Sequence, residues 1–284
     1  MVDHTARCHH EQYLGQLLEY LASPLDNSLS LTASRTPESK VVALKSKEGQ
    51  YPVIDAIPRM IPDLGQIREG DLATWQDQLD LTLENVRNGG ESFFTAEDAH
   101  MGRSVGEIIA ETGEGLFLDV GCGTLPLPGY MATSSDAVTW MGIDPIVGEA
   151  PRQFPFVQAL GEYIPFRPKV FDGLLYAWTI DHLADPLRSL RRAFSIIKPH
   201  GTLYVWYGWS RVDLNYVVWR IMRMFGSARH YNEYFQWGFT PRSLRALLKR
   251  AGFTVERDIL LCERCPEYGT CDEPGESLVI ARLS

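Results

Sequence analysis

A short apolar run that breaks into a pair of glycines constrains this chain more than any other feature. It reads Leu116-Phe117-Leu118-Asp119-Val120-Gly121-Cys122-Gly123-Thr124. The run has strand character, and the glycines let the backbone turn sharply and pass close to a ligand. A second run at 138–143 leads into Asp144, which stands 21 positions beyond Gly123. An acidic residue at the end of a second strand is placed to accept hydrogen bonds from ribose hydroxyls. Further runs at 156–159, 171–177, 202–206, 254–261 and 277–281 bring the strands to seven, with helical stretches at 186–197 and 241–251 among them. This alternation predicts an α/β fold with a doubly wound, mostly parallel seven-stranded sheet, helices on both faces and a ligand at the carboxyl ends of the strands.

The chain before Gly115 is organised differently. Leu72, Trp75, Leu79, Leu83 and Val86 recur at helical spacing, Asn88-Gly89-Gly90 ends that helix, and a second helix is expected at 98–112. The first 64 residues read as a small β-rich module. It has a short helix at 11–21, strand-like pieces at 29–32 and 41–45, and an extended, proline-punctuated segment from Tyr51 to Pro58. The domain organisation expected is therefore 1–64 and 65–284.

Composition narrows the function classes. With 27 Lys and Arg against 36 Asp and Glu, the 284-residue chain carries a formal charge of −9, which disfavours nucleic acid as a partner. Arg188, Arg191, Arg192 and Lys198, and likewise Arg220, Arg223 and Arg229, read as solvated helix faces. No apolar stretch reaches the length of about 18 residues that a membrane span needs. The charged, histidine-bearing N-terminus lacks the apolar run of a secretory signal, so the expected compartment is the cytoplasm.

Asp119-Val120-Gly121-Cys122-Gly123 resembles the first motif of the class I S-adenosylmethionine-dependent methyltransferases. The resemblance covers roughly residues 93 to 284 and continues in order. Gly161-Glu162-Tyr163-Ile164-Pro165-Phe166 is similar to the block after the third strand, and Phe171-Asp172-Gly173-Leu174-Leu175 to the fourth strand. Ile180-Asp181-His182-Leu183-Ala184-Asp185-Pro186 resembles the turn beyond it, and Ile197-Lys198-Pro199-His200-Gly201 the turn into the fifth strand. The resemblance implies S-adenosylmethionine as cofactor. It places Asp119 toward the methionine amino group, Asp144 on the ribose, backbone at Gly121 and Gly123 around the methionine, and backbone at Leu160 and Gly161 at the adenine. Cys122, Pro145, Glu162 and Tyr176 complete the expected cofactor-binding set. Two positions depart from the pattern. Leu125 stands where a third glycine often falls, with Pro126 and Pro128 after it, so the next helix should be short. Leu160 stands where an aspartate often binds the adenine amino group.

Methyl transfer also needs an aligned acceptor and, for some acceptors, a base. Tyr176, Trp178 and Thr179 are expected to face the methyl group. Asp181 or His182 could act as base, although the second polar residue of this block more often caps or braces the following helix, and that reading is preferred for His182. An aromatic-rich insertion at 207–238 is expected to cover a small, ring-bearing acceptor. Within it Tyr216 and Trp219 read as packed, while His230, Tyr231 and Tyr234 read as pocket candidates, His230 being a third catalytic candidate. RNA or protein methylation, and a non-catalytic cofactor- or partner-binding role, stand as alternatives.

The segments Leu21-Ala22-Ser23-Pro24-Leu25-Asp26 and Tyr51-Pro52-Val53-Ile54-Asp55-Ala56-Ile57-Pro58-Arg59-Met60 resemble the small zinc-ribbon-like activator subunit of tRNA and release-factor methyltransferases. Ser23 and Asp26 occupy its cysteine positions, so no metal is expected there. Cys262, Cys265 and Cys271 form a separate group. They are either three free thiols or three ligands that need a fourth, such as Cys8, His9 or His10.

Overall fold

The computed structural model describes residues 4–67, 75, 76, 79, 80, 84, 96–209, 214–225, 236–261 and 275–284. Strands β5 (Gly115–Val120), β6 (Val138–Asp144), β7 (Phe156–Gln158), β8 (Phe171–Ala177), β9 (Ile197–Gly208), β10 (Phe253–Leu260) and β11 (Glu276–Leu283) form one sheet in the order β10-β11-β9-β8-β5-β6-β7. Neighbouring pairs from β9 to β7 are parallel, and β11 runs antiparallel to both β9 and β10. This is the expected doubly wound, mostly parallel sheet. The chain winds outward from β5 through β6 to β7, then returns to β8 on the other side of β5. The loop after β5 therefore opens at the switch point, where such sheets bind ligands.

The helices sit where local sequence starts and stops them. Helix α4 (Pro186–Ile196) begins with Pro186 in its first turn and Asp185 as cap, whose Oδ1 accepts the Arg188 N–H at 3.0 Å. Helix α6 (Pro241–Ala251) begins with a Thr240–Ser243 capping box and ends at Gly252 in the left-handed region. Leu190, Ala193 and Ile196 of α4 and Leu244 and Leu248 of α6 are buried in one core with Leu118, Val120, Leu174 and Tyr176 of the sheet.

The opposite face is covered by α2 (Ala96–Thr112) and the five-residue α3 (Gly129–Thr133), short as the prolines before it implied. A side chain at Gly106 of α2 would lie 2.5 Å from the Tyr130 carbonyl. This close crossing sets Tyr130 beneath the end of β5. Phe117, Trp140, Leu175, Tyr204 and Trp206 fill the second core with Ile108 and Ile109 of α2.

The N-terminal segment comprises α1 (His4–Leu18) and an antiparallel four-stranded sheet of β1 (Thr32–Arg35), β2 (Val41–Lys45), β3 (Gln50–Ile54) and β4 (Ile57–Pro58), in chain order. It joins the large sheet at its outer edge. The Met60 N–H donates to the Gln158 carbonyl at 2.7 Å, and Arg59 bridges Gln158 in parallel register. Leu14, Leu17, Leu44 and Met60 belong to the same apolar core as the α4–α6 face. Of the helix expected around Leu72 to Val86, Trp75, Gln76, Leu79, Asp80 and Glu84 are described and helical. The rest of it, and the Asn88-Gly89-Gly90 stop, lie outside the described residues, as do His230, Tyr231, Tyr234, Cys262, Cys265 and Cys271. Among the described residues no helix is long and apolar enough to cross a membrane.

Candidate active site

Near the end of strand β5 stands Asp119, whose side chain is fully buried. Its Oδ2 accepts a 2.6 Å hydrogen bond from the Tyr130 hydroxyl, while its Oδ1, equally shielded from water, has no partner. Burial pushes this carboxyl up to about 7. The charge of Asp144 adds to the rise, and the Tyr130 hydrogen bond and the charge of Arg152 oppose it.

The chain then turns through Gly121 (φ +79°) and Gly123 (φ +67°), with the N–H groups of Gly121 and Cys122 both donating to the Ile143 carbonyl. The two glycines face different surroundings. A side-chain carbon at Gly121 would fall 2.4 Å from Thr179, whereas one at Gly123 would meet nothing within 4 Å. Gly121 is thus required by the packing, and Gly123 presents an open backbone face. Cys122 is buried, and burial raises its thiol.

Asp144, at the end of β6, closes the loop from below. Its Oδ2 accepts the Gly123 N–H at 2.9 Å and its Oδ1 the Ile146 N–H at 2.8 Å. Burial lifts it up to about 6, against those two hydrogen bonds and Arg152. Each oxygen keeps a further lone pair for a hydroxyl donor. The Pro145 carbonyl is held by the Gln158 amide at 2.8 Å.

Leu160 leads into a short turn, Gly161–Tyr163, packed under the loop after β8. A side chain at Gly161 would collide with Leu183 at 2.8 Å. Glu162 braces that later loop: its Oε1 accepts the N–H groups of Ala184 at 2.7 Å and Asp185 at 3.2 Å. Tyr176 departs from its expected place. Side chains alternate along β8, so Leu175 and Ala177 face one core and Tyr176 the other, where its hydroxyl shares a 2.8 Å hydrogen bond with Ser189 of α4. Its side chain is not brought to the loop with Asp119.

The turn after β8 meets the glycine loop at Thr179, whose hydroxyl donates to the Gly121 carbonyl at 3.1 Å. Trp178 precedes it at φ +51°, an uncommon conformation for a non-glycine residue. It is held there by its N–H to the Trp206 carbonyl and by ring contact with Trp206. Asp181 is buried and its Oδ1 accepts no hydrogen bond, while the Nε2 of half-exposed His182 stands 3.9 Å from it. Burial raises Asp181, and His182 opposes the rise. Capping of α4 falls to Asp185 rather than His182. The described part of the insertion reaches this turn. Helix α5 (Leu214–Met224) packs Tyr216 on Trp219, and its Arg223 lies 3.6 Å from the Trp237 ring, whose indole N–H donates to the Leu183 carbonyl.

Two residues that the sequence did not single out complete the site. Tyr130 is one. Arg152 is the other: buried, it donates from Nη2 to the carbonyls of Gly123 (2.6 Å), Val147 (3.2 Å) and Ile146 (3.3 Å), and from Nη1 to Leu125 (3.2 Å). Its guanidinium lies 4.0 Å from the Phe156 ring centre. Among the described residues no group of three or more His, Cys, Asp or Glu is arranged to hold a metal ion.

A family model described as a methyltransferase domain matches residues 98–257, more than half of the chain, and the chain belongs to that family. Among solved structures, the Burkholderia thailandensis 1,6-didemethyltoxoflavin-N1-methyltransferase, determined with 1,6-didemethyltoxoflavin and S-adenosylhomocysteine, superposes with a TM-score of 0.56. The two are 15% identical over 83% of this chain and 95% of that one. The cyclase SpnF (16% identity, TM-score 0.47, 64% of this chain and 80% of that one) is also similar. So is an S-adenosylmethionine-dependent methyltransferase of Mesorhizobium loti (15%, 0.44, 63% and 95%). No curated protein sequence matches the chain significantly. The family's cofactor is S-adenosylmethionine, and the residues present fit it. Asp119 Oδ1 is a buried acceptor without a donor, Gly123 leaves backbone open, and Asp144 retains acceptor capacity beside it.

Proposed function

We propose that this protein is a cytoplasmic S-adenosylmethionine-dependent methyltransferase acting on a small, ring-bearing metabolite. The observation that carries this reading is the buried, unpartnered Oδ1 of Asp119 at the head of the glycine loop. An anionic acceptor in that position suits a cationic amino group, which the methionine part of the cofactor offers. When bound, the cofactor supplies a methyl carbon made electrophilic by its sulfonium sulfur.

The tasks of the protein are binding, alignment and proton handling. Asp119 accepts from the amino group, Asp144 from the ribose hydroxyls, and the turn at 121–123 borders the methionine through its backbone. Pro145, Leu160 and Gly161 border the adenine, and Glu162 acts one step removed, through the turn it braces. The acceptor enters beside the turn at 178–183, next to the described Trp237 and Arg223 of the insertion, and must be held within about 3–3.5 Å of the methyl carbon. Asp181 and His182 take the proton from an oxygen or nitrogen acceptor: the imidazole is accessible, and its Nε2 stands 3.9 Å from the buried carboxylate. The aromatic rings of Trp178 and Trp237 near that turn support a ring-bearing acceptor.

Residues 1–64 are read as a zinc-free relative of the ribbon-like activator module, and 65–284 as the catalytic domain. Support for the first comes from the four-stranded meander and from Ser23, which donates to Glu48 at 2.7 Å where a metal-binding relative would carry a ligand.

The test is release of S-adenosylhomocysteine over a panel of hydroxylated and amino-substituted aromatic metabolites, with tRNA and a protein lysate as further acceptors. Turnover on a small aromatic acceptor supports the proposal. Turnover on RNA or protein alone moves the acceptor to another class, and a protein that binds cofactor but turns over nothing contradicts the enzymatic reading.

A further inference from the structure

The segment between β6 and β7 carries a buried cation with an unusual set of partners. Arg152 is 5% exposed, yet among the described residues it forms no ion pair. Four backbone carbonyls take its hydrogen bonds instead: Gly123 and Leu125 from the loop after β5, Ile146 and Val147 from the turn after β6. Phe156 lies under the guanidinium plane and Phe154 5.7 Å away. A guanidinium can span carbonyls from two loops because its donors form a rigid planar fork, which a lysine ammonium lacks.

Those two loops are the ones that carry Gly123, Asp144 and Pro145. With Leu125 in place of a third glycine, the loop after β5 has one flexible point fewer through which to adapt to a ligand. Its shape must be set beforehand, and Arg152 ties its far end to the adjoining turn. The same charge stands behind Asp144 and Asp119 without touching either one.

We propose that Arg152 is the positioning residue of the cofactor site: it holds both loops in the ligand-accepting shape before the cofactor arrives. This inference rests on the cofactor reading above. The titratable groups facing this region are Asp119 of β5, Asp144 of β6, Cys122 of the loop and Tyr130 of α3. All of them are buried, and all sense the charge of Arg152.

The experiment uses the full chain and the variants Arg152→Gln and Arg152→Lys, with circular dichroism and thermal melts confirming the fold. S-adenosylhomocysteine binding is titrated from about pH 6 to about pH 8.5, across the range where the two carboxyls titrate. Alkylation of Cys122 is followed peptide by peptide by mass spectrometry without ligand. In Arg152→Gln the affinity near neutral pH falls about tenfold or more, as for loss of charged hydrogen bonds. The pH midpoint of binding moves upward, and Cys122 is alkylated faster. Arg152→Lys keeps the wild-type midpoint, because the charge remains, but binds several-fold more weakly, because the fork is gone. A purely structural arginine would lower the melting temperature and leave the pH midpoint in place. Wild-type affinity, pH profile and Cys122 protection in the glutamine variant overturn the proposal. So does wild-type affinity in the lysine variant, should the glutamine variant fail to fold. Absence of binding by the wild type sinks the cofactor reading instead, and Cys122 alkylation then decides whether Arg152 holds the loop.

Discussion

Tyr130 satisfies one oxygen of Asp119 with a 2.6 Å hydrogen bond and leaves the other, equally buried, without a partner. A carboxylate half satisfied by the protein is one whose remaining acceptor is reserved for something else. Tyr130→Phe removes the one donor it has. Above the Asp119 midpoint the folded state should then lose about 1–3 kcal/mol, the cost of an unsatisfied buried acceptor. Cofactor affinity should fall as well, because the carboxylate is harder to ionise. Urea unfolding near pH 8 and calorimetry would check the two effects separately.

The two glycines of the loop should separate stability from binding. Gly121→Ala meets both a left-handed backbone and Thr179 at 2.4 Å, so a loss of about 3 kcal/mol is expected. Gly123→Ala meets only the backbone penalty, about 1 kcal/mol, since nothing lies within 4 Å of the added carbon. Its larger effect should be on S-adenosylhomocysteine affinity, weakened about tenfold or more if the methyl group stands where the ligand lies. Equal affinity in Gly123→Ala and the wild type would show that the open face is not the binding face.

The ligand-free protein should lose stability as pH rises. Burial raises Asp119 and Asp144 in the folded state to about 7 and about 6 from the ordinary aspartate value of 3.8. The folded state therefore holds protons that the unfolded chain gives up at lower pH. Stability is greatest below the unfolded midpoint and declines through about pH 6 to 7. Cofactor binding should show the opposite trend, because its amino group and hydroxyls favour the ionised carboxylates. Thermal melts from pH 5 to 8, with and without S-adenosylhomocysteine, should give a falling ligand-free curve and a ligand-induced shift that grows with pH. A ligand-free melting temperature that is flat over this range, or that is unaltered in slope by Asp119→Asn, would contradict the assignment.

What the sequence revealed follows from how each feature is encoded. Continuous apolar runs between turn signals located all seven strands, with β8 and α6 matching their expected bounds, since local composition and caps define them. Strand β9 is longer than expected, Ile197–Gly208 rather than 202–206, because Pro199-His200-Gly201 reads as a turn while the backbone stays extended through it. Helix α1 starts at His4, before the expected residue 11, where charged residues and histidines obscure the apolar pattern. Motif spacing implied that Asp119, Gly121, Gly123 and Asp144 stand together at the ends of two neighbouring strands, and the structure has them there, with the Gly123 N–H on Asp144. Tyr176 was misplaced, although the alternation along β8 held the correction. Arg152 was not legible at all: its partners are carbonyls, which any sequence would supply, brought together only by the fold.

Glu162 gives a prediction about the acceptor side. Its Oε1 holds the N–H groups of Ala184 and Asp185 at the start of α4. Glu162→Ala strands both, and a loss of about 3 kcal/mol is expected. The turn carrying Asp181 and His182 would loosen, so turnover should fall further than cofactor affinity does. A variant with wild-type stability in urea would mean that water replaces the carboxylate at no cost.

The most direct test of the central claim is calorimetric titration of the purified protein with S-adenosylhomocysteine, with Asp144→Ala run in parallel. The cofactor site described here predicts a single site of micromolar affinity in the wild type and loss of binding in a folded Asp144→Ala variant. A folded wild type that takes up no ligand, or a variant that binds as tightly as the wild type, would contradict it.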